Sequence, residues 1–357
     1  MRTVGTNHGG YANQRNIIGL PFTRYRVVRC NDAYRIPNYL HFRLRGRMHH
    51  TWPFLHWDGG LTNYDLLHFF NGISLGKKPW LSTFETYLPR WTAYGGGNVE
   101  RGLRLLAGAP CKRLIALSEC AREIQRQYLQ DHRDYAETIM GKVEVLHPPQ
   151  APLISHEELK QKAELQRGRE QIQMLFVGAD FFRKGGREVL KATEVMLERG
   201  APLQLDIVSA MHHGDYASHA TSQDLADAIR IIERHPQSIR LHRSLPNAKV
   251  LEMWRNTDIG LLPTWADTYG YTVLESAAAG CPVISTDVRA LPEINSDQTG
   301  WVIPITKDSW GNAILNTETE RKAFSKNLTE ALIGVMEGIV ADPTMIATKG
   351  QAAYERI

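Results

Sequence analysis

The strongest constraint on this chain is an alternation that runs through its second half. Short apolar runs, each able to be buried on both faces, are followed by stretches of helical period. Ile172–Val177 (IQMLFV) runs into Gly178, and Leu203–Val208, Ile239–His242, Ile259–Leu262 and Pro282–Ser285 repeat the type. Between them Arg187–Arg199 carries Val189, Leu190, Met196 and Leu197 at helical spacing, stopped by Gly200 and Pro202. Ser222–His235 places Leu225, Ile229 and Ile232 on one face. Ala248–Asn256, with Asn247 as its cap, and Thr272–Ala279, closed by Gly280, complete the helices. Parallel strands need crossover connections, so this alternation demands a parallel sheet covered by helices on both faces.

The first half alternates less clearly. Arg26–Arg29, Asp65–Phe70, Trp80–Phe84, Arg113–Leu117 and Val143–Leu146 read as strands, with Ser118 capping a helix Glu119–Leu129. A second α/β unit is therefore expected. The proline-rich string His147–Pro152 breaks both element types and marks the boundary. Beyond it, Ser155 and Glu158 have capping-box spacing. The expected division is 1–150, 151–321 and a helical segment 322–357 that packs back on the first domain.

Composition excludes several classes. With 43% hydrophobic and 22% charged residues the chain is globular rather than disordered. No apolar run reaches the roughly 18 residues of a membrane-crossing helix. The opening MRTVGTNHGG lacks the apolar core of a secretory leader, and Cys30, Cys111, Cys120 and Cys281 are scattered without a CxxC pair. A cytoplasmic location is expected. A net charge of +4 is too small to imply a nucleic-acid partner, yet it leaves room for a basic patch.

Two strings carry the chemistry. In the first, Phe176–Gly186, a strand enters a loop with Gly178, Arg183, Lys184, Gly185 and Gly186 before a helix. Glycines admit close backbone approach, a helix start offers N–H groups, and two cations add full charges, which together suit a diphosphate. The same string also reads as a plain βα turn with solvated cations. In the second, Pro263–Ser285, Asp267 sits on a loop after a strand and Glu275 near the start of the next helix. Thr272 and Val273 N–H groups there suit a phosphate, and Glu275 suits hydroxyls. As a mere complement to the helix dipole, Glu275 would contribute about 0.3–1 kcal/mol.

In this order, the two strings resemble the donor-binding domain of retaining GT-B glycosyltransferases of family 4, over roughly residues 111–305. Leu291–Ile294 and Thr299–Ile303 resemble that family's continuation. The resemblance implies an α/β fold of two Rossmann-like domains with parallel sheets facing across a cleft. It implies transfer of a sugar from a nucleotide-diphosphate donor to a glycan or lipid-linked saccharide acceptor, in polysaccharide or glycolipid assembly, without cofactor or metal. By the family's E-x7-E pair, Glu275 corresponds to the ribose partner and Asp267 to the sugar partner, although Asp replaces the usual first Glu. The family's strand-end Arg is absent, since Ala179 stands there; Lys184 matches the family Lys, and Arg183 supplies a neighbouring cation. His242, after the third strand, falls where the nucleobase loop is expected. Where the family often has an N-domain His, this chain has Glu85, which reads as an acceptor-side carboxylate or a hinge ion pair.

Remaining motifs are weaker. His8-Gly9-Gly10 resembles the family's glycine-bearing first loop, and Gly95-Gly96-Gly97 reads as a loop before the helix Asn98–Leu106. His68 reads as a core histidine. Arg101, Arg104, Lys112, Arg113, Arg122 and Arg126 suit contact with an anionic membrane, or equally a solvated face. No DxD, HExxH or GxSxG string occurs. A GT-B epimerase or phosphorylase, or a non-catalytic nucleotide-sugar-binding partner, is the alternative.

Overall fold

The computed structural model describes residues 1–6, 15–20, 22–95 and 97–357, so His8-Gly9-Gly10 and the middle of the Gly95–Gly97 run lie outside the described residues. The chain divides into two units, Met1–Pro149 and Gln150–Ile357. The first contains β1 (Arg2–Thr6), β2 (Tyr25–Arg29), α1 (Arg35–Arg45), β3 (Leu55–His56), β4 (Leu66–Phe70), β5 (Ile73–Ser74) and β6 (Trp80–Phe84). It continues with α2 (Val99–Ala107), β7 (Cys111–Ala116), α3 (Glu119–Tyr128), α4 (Arg133–Met140) and β8 (Val143–Val145). Its main sheet has the order β2-β1-β4-β6-β7-β8, and every pairing is parallel.

The second unit contains α5 (His156–Arg167), β9 (Ile172–Val177), α6 (Gly186–Glu198), β10 (Leu203–Val208), α7 (Ser222–Arg234), β11 (Ile239–His242), α8 (Asn247–Asn256), β12 (Ile259–Leu262) and α9 (Tyr271–Ala278). It ends with β13 (Val283–Thr286), α10 (Leu291–Ile294), β14 (Gly300–Ile303), α11 (Glu318–Ala341) and α12 (Thr344–Glu355). The sheet order is β11-β10-β9-β12-β13-β14, again parallel throughout. Within this unit α11 packs on α6, and α12 packs on α9 and α5.

Local chemistry explains where most elements begin. Ser118 Oγ accepts from the Ala121 N–H at 3.0 Å and starts α3. Ser155 and Glu158 form a reciprocal capping box that starts α5. Asn247 is not a cap: it is the first residue of α8, because the Pro246 carbonyl already accepts from Lys249 and Val250 N–H at 2.9 and 3.2 Å. Proline has no N–H to satisfy and suits that entry. The central strands of the second sheet place Met174, Phe176, Leu205, Ile207, Leu261 and Ile284 in one core. Among the described residues no single helix is long and apolar enough to cross a membrane.

Candidate active site

In the second unit the strand order reverses between β9 and β12. Loops leaving the carboxyl ends of two such strands diverge to opposite faces and leave a crevice, where open α/β sheets bind ligands. Both chemical strings follow these two strands, one on each side of the reversal.

The two loops are tied together. Trp265 N–H donates to the Arg183 carbonyl at 2.9 Å, and Thr264 Oγ donates to the same oxygen at 3.1 Å. The Arg183 guanidinium donates back to the Ala266 carbonyl at 2.7 Å and to Asp180 through Nε at 3.2 Å. Gly185 makes this approach feasible. It holds φ +84°, and a Cβ there would stand 2.0 Å from the Pro263 carbonyl oxygen. Gly178 serves the cation itself, since a Cβ on it would stand 3.0 Å from Lys184 Cγ.

At the centre, Lys184 Nζ donates to Asp267 Oδ2. Thr268 N–H donates to the other oxygen, Oδ1, at 2.9 Å. Burial opposes ionisation of Asp267, but Lys184 and then Arg183 outweigh it and hold its carboxyl below the usual range. Burial likewise opposes the charge on Arg183, and Asp180 outweighs it and raises its pKa. The four side chains Asp180, Arg183, Lys184 and Asp267 therefore balance in charge.

The helix starts also differ from expectation. Gly185 and Gly186 N–H groups donate to Phe182 and Phe181 carbonyls at 3.0 and 2.9 Å, and Val273 N–H donates to the Gly270 carbonyl at 2.9 Å. These N–H groups are committed within their own loops. Thr272 lies in the first turn of α9, next to the committed Val273. Glu275 is buried and lies beyond that turn, so it does not complement the helix dipole. His242 ends the edge strand β11; its Nε2 is 2.9 Å from Asp206 Oδ1, and its carbonyl accepts from Ser209 N–H at 3.0 Å.

In the first unit, Glu85 directly follows β6 at the carboxyl edge of the sheet. His68 is a core residue, with Nε2 2.7 Å from Thr83 Oγ and a pKa pushed down to about 3 by burial. The sequence reading missed two side chains near the Lys184 cluster. Arg183 faces the Tyr216 ring at 6.0 Å, and Arg289, with φ +51°, acts on the same phenol together with Asp267. The signal for Arg289 was its place three residues past β13, in a loop at the same edge of the sheet. Among the described residues no cluster of His, Cys, Asp and Glu could hold a metal ion.

Residues 171–319 match the model of the family Glycosyl transferases group 1. The match lies within the second unit. It spans β9 to the start of α11 and contains the whole Lys184–Asp267 cluster. The D-inositol 3-phosphate glycosyltransferase of Thermobifida fusca (strain YX) is 28% identical over 136 residues, covering 37% of this chain and 30% of that protein. The protein of the same name from Mycobacteroides abscessus is 25% identical over 174 residues, covering 47% of this chain and 38% of that one. The matches thus span well under half the length of these relatives. Anabaena Alr3699/HepE in complex with UDP-glucose superposes with a TM-score of 0.52 at 12% identity, over 82% of this chain and 73% of that one. Its complex with UDP superposes with a TM-score of 0.50 at 11% identity, over 100% and 98% of the two chains. The fold is the α/β GT-B fold.

Proposed function

We propose that this chain is a retaining glycosyltransferase of family 4 that moves a sugar from a nucleotide-diphosphate donor to a hydroxyl of a glycan or lipid-linked saccharide. It acts in polysaccharide or glycolipid assembly on the cytoplasmic side and needs no metal. The observation that carries this reading is the cross-loop cluster of Arg183, Lys184 and Asp267 at the strand reversal, inside the matched domain. The relatives' activity on an inositol phosphate, and the UDP-glucose complex of the Anabaena protein, support a nucleotide-sugar donor and a hydroxyl acceptor.

In this reading the donor diphosphate competes with Asp267 for Lys184. The carboxylate is released toward the transferred sugar as the cation turns to the phosphate. Gly178 and Gly185 keep the loops low enough for that approach, and Arg289 adds positive charge that the sequence reading did not count. Glu275 binds the ribose, Thr272 N–H meets a phosphate oxygen, and the His242 loop borders the base. Glu85 serves the acceptor. During transfer the bond from the anomeric carbon to the diphosphate oxygen breaks, and a bond to the acceptor oxygen forms on the same face. The hydroxyl proton leaves with the diphosphate. Lys184 lowers the barrier by stabilising charge that grows on that leaving group.

The test is incubation with UDP-, GDP-, ADP- and TDP-sugars and an acceptor panel, followed by NMR of the product's anomeric signal. Acceptor-dependent release of one nucleoside diphosphate with retained configuration is expected. An inverted product, or turnover of the donor without acceptor, contradicts the reading.

A further inference from the structure

The first unit carries an amphipathic helix mounted inside out. Along α1, Ile36, Tyr39, Leu40, Arg43 and Leu44 follow the i, i+3, i+4, i+7, i+8 spacing of a single face. In a globular helix that face is the buried one. Here it is open: Ile36 is 70% exposed, Tyr39 60%, Leu40 51% and Leu44 82%, and no residue of the helix is buried. The polar side faces the protein instead. His41 Nδ1 lies 3.0 Å from the Arg47 carbonyl, and its ring stands edge-on to Trp52 at 5.9 Å. The apolar surface continues to Trp57 and to Leu61, which is 91% exposed, around a groove of about 790 Å³.

Charge identifies what would cover this face. Arg24, Arg26, Arg29, Arg35, Arg43, Arg45 and Arg47 all fall between residues 24 and 47, where Asp32 is the sole acidic residue. The Asp32 carboxylate is already engaged by the N–H groups of Tyr34 and Trp57 at 3.1 and 3.3 Å. This segment therefore holds an excess of six positive charges, more than the +4 of the whole chain. The basic residues that the sequence reading weighed equally for membrane contact and a solvated face behave differently. Arg113 pairs with Glu144 at 2.7 Å, Arg122 with Glu119 at 2.5 Å, Arg104 with Glu100 at 3.6 Å, and Arg126 with Glu123. Their charge is largely spent locally.

We infer that α1 is a docking face for an anionic lipid surface, with Ile36, Tyr39, Leu40 and Leu44 entering the headgroup boundary and Arg35, Arg43, Arg45 and Arg47 meeting lipid phosphates. Exposed apolar residues interleaved with arginine, flanked by Tyr39 and Trp57, are the composition that lies in a bilayer interface. A second copy of this chain would bring the same seven arginines against these, whereas an anionic leaflet attracts them.

The experiment is sedimentation of the full chain with vesicles of phosphatidylcholine alone and of phosphatidylcholine mixed equally with phosphatidylglycerol, with no donor or acceptor present. A failure here therefore leaves the transferase reading standing. Binding to the mixed vesicles only, weakened by salt, is expected. Each arginine near an anionic leaflet multiplies partitioning about fivefold, so the triple replacement of Arg43, Arg45 and Arg47 by Gln should reduce it by about two orders of magnitude. The variant Ile36→Ser/Leu40→Ser/Leu44→Ser alters exposed positions and should also abolish binding while melting like the parent. Equal binding to both vesicle types, or unchanged binding by both triple variants, overturns the inference. So does a dimer in sedimentation velocity that the serine variant dissociates, since α1 would then join two copies of the chain.

Discussion

Lys184 and Asp267 stand 83 residues apart in sequence and form one ion pair at the tip of two neighbouring strands. Their pairing gives each a distinct expected effect. Lys184→Ala should lower transfer by about 10²–10³-fold, the scale for losing one donor to a developing negative charge, and steady-state kinetics on the preferred donor reads it. Asp267→Asn removes the competitor for Lys184. Nucleoside diphosphate binding, followed by calorimetry, should tighten while turnover falls. Acid titration offers an independent check. The carboxyl of Asp267 is held below its ordinary 3.8, so its stabilising contribution is complete above that pH and is lost as pH falls through the lower folded value. His68 works in the same pH direction for the opposite reason. Its folded pKa of about 3 lies below the ordinary 6.5, so the unfolded chain takes up a proton first and stability drops as pH falls between those values. The slope is at most about 1.4 kcal/mol per pH unit, and urea melts of His68→Gln should show a flatter profile between about pH 6 and pH 4.

At the scale of elements, the loop contacts depend on Gly185. Gly185→Ala would place a Cβ against the Pro263 carbonyl in a left-handed conformation, so the loop after β9 must shift away from the loop after β12. Thermal melts should show a modest loss, and activity should fall further than stability. Lys162 makes a comparable link at the opposite end of the helices. It is buried, and its Nζ donates to the carbonyls of Trp254 and Ala279 at 3.1 and 2.8 Å, near the ends of α8 and α9. Lys162→Met removes the charged donor from both oxygens, of which that of Trp254 keeps the Thr257 N–H at 3.3 Å, and should cost about 1–3 kcal/mol in denaturant unfolding. Short strands followed by turn signals were legible in the sequence: β6, β9, β10, β11 and β12 lie where the sequence put them. Helix α1 was not read from the sequence, although its apolar stripe has helical spacing, because its Pro37 argues against a helix. Strand β14 was missed because GWVI opens on glycine and is only four residues long.

At the scale of the whole molecule, each unit builds a six-stranded parallel sheet, and the reversal of strand order in the second coincides with both motif loops. The motif residues themselves were legible because glycines and charges cluster after strands. Their pairings were not, because partners across a sheet are set by strand order, which the sequence does not spell out. Thus the N–H groups of Gly185, Gly186 and Val273, expected to be open, donate to carbonyls of their own loops, and Lys184 is paired with Asp267. The central claim is that Lys184, within the cross-loop cluster, holds the diphosphate of a nucleotide-sugar. Calorimetric titration of UDP, GDP, ADP and TDP into the full chain and into Lys184→Ala tests it most directly. One nucleoside diphosphate should bind the parent, and at least tenfold weaker binding to the variant is expected, about 1.4 kcal/mol. Equal affinity of parent and variant for that nucleotide would contradict the account.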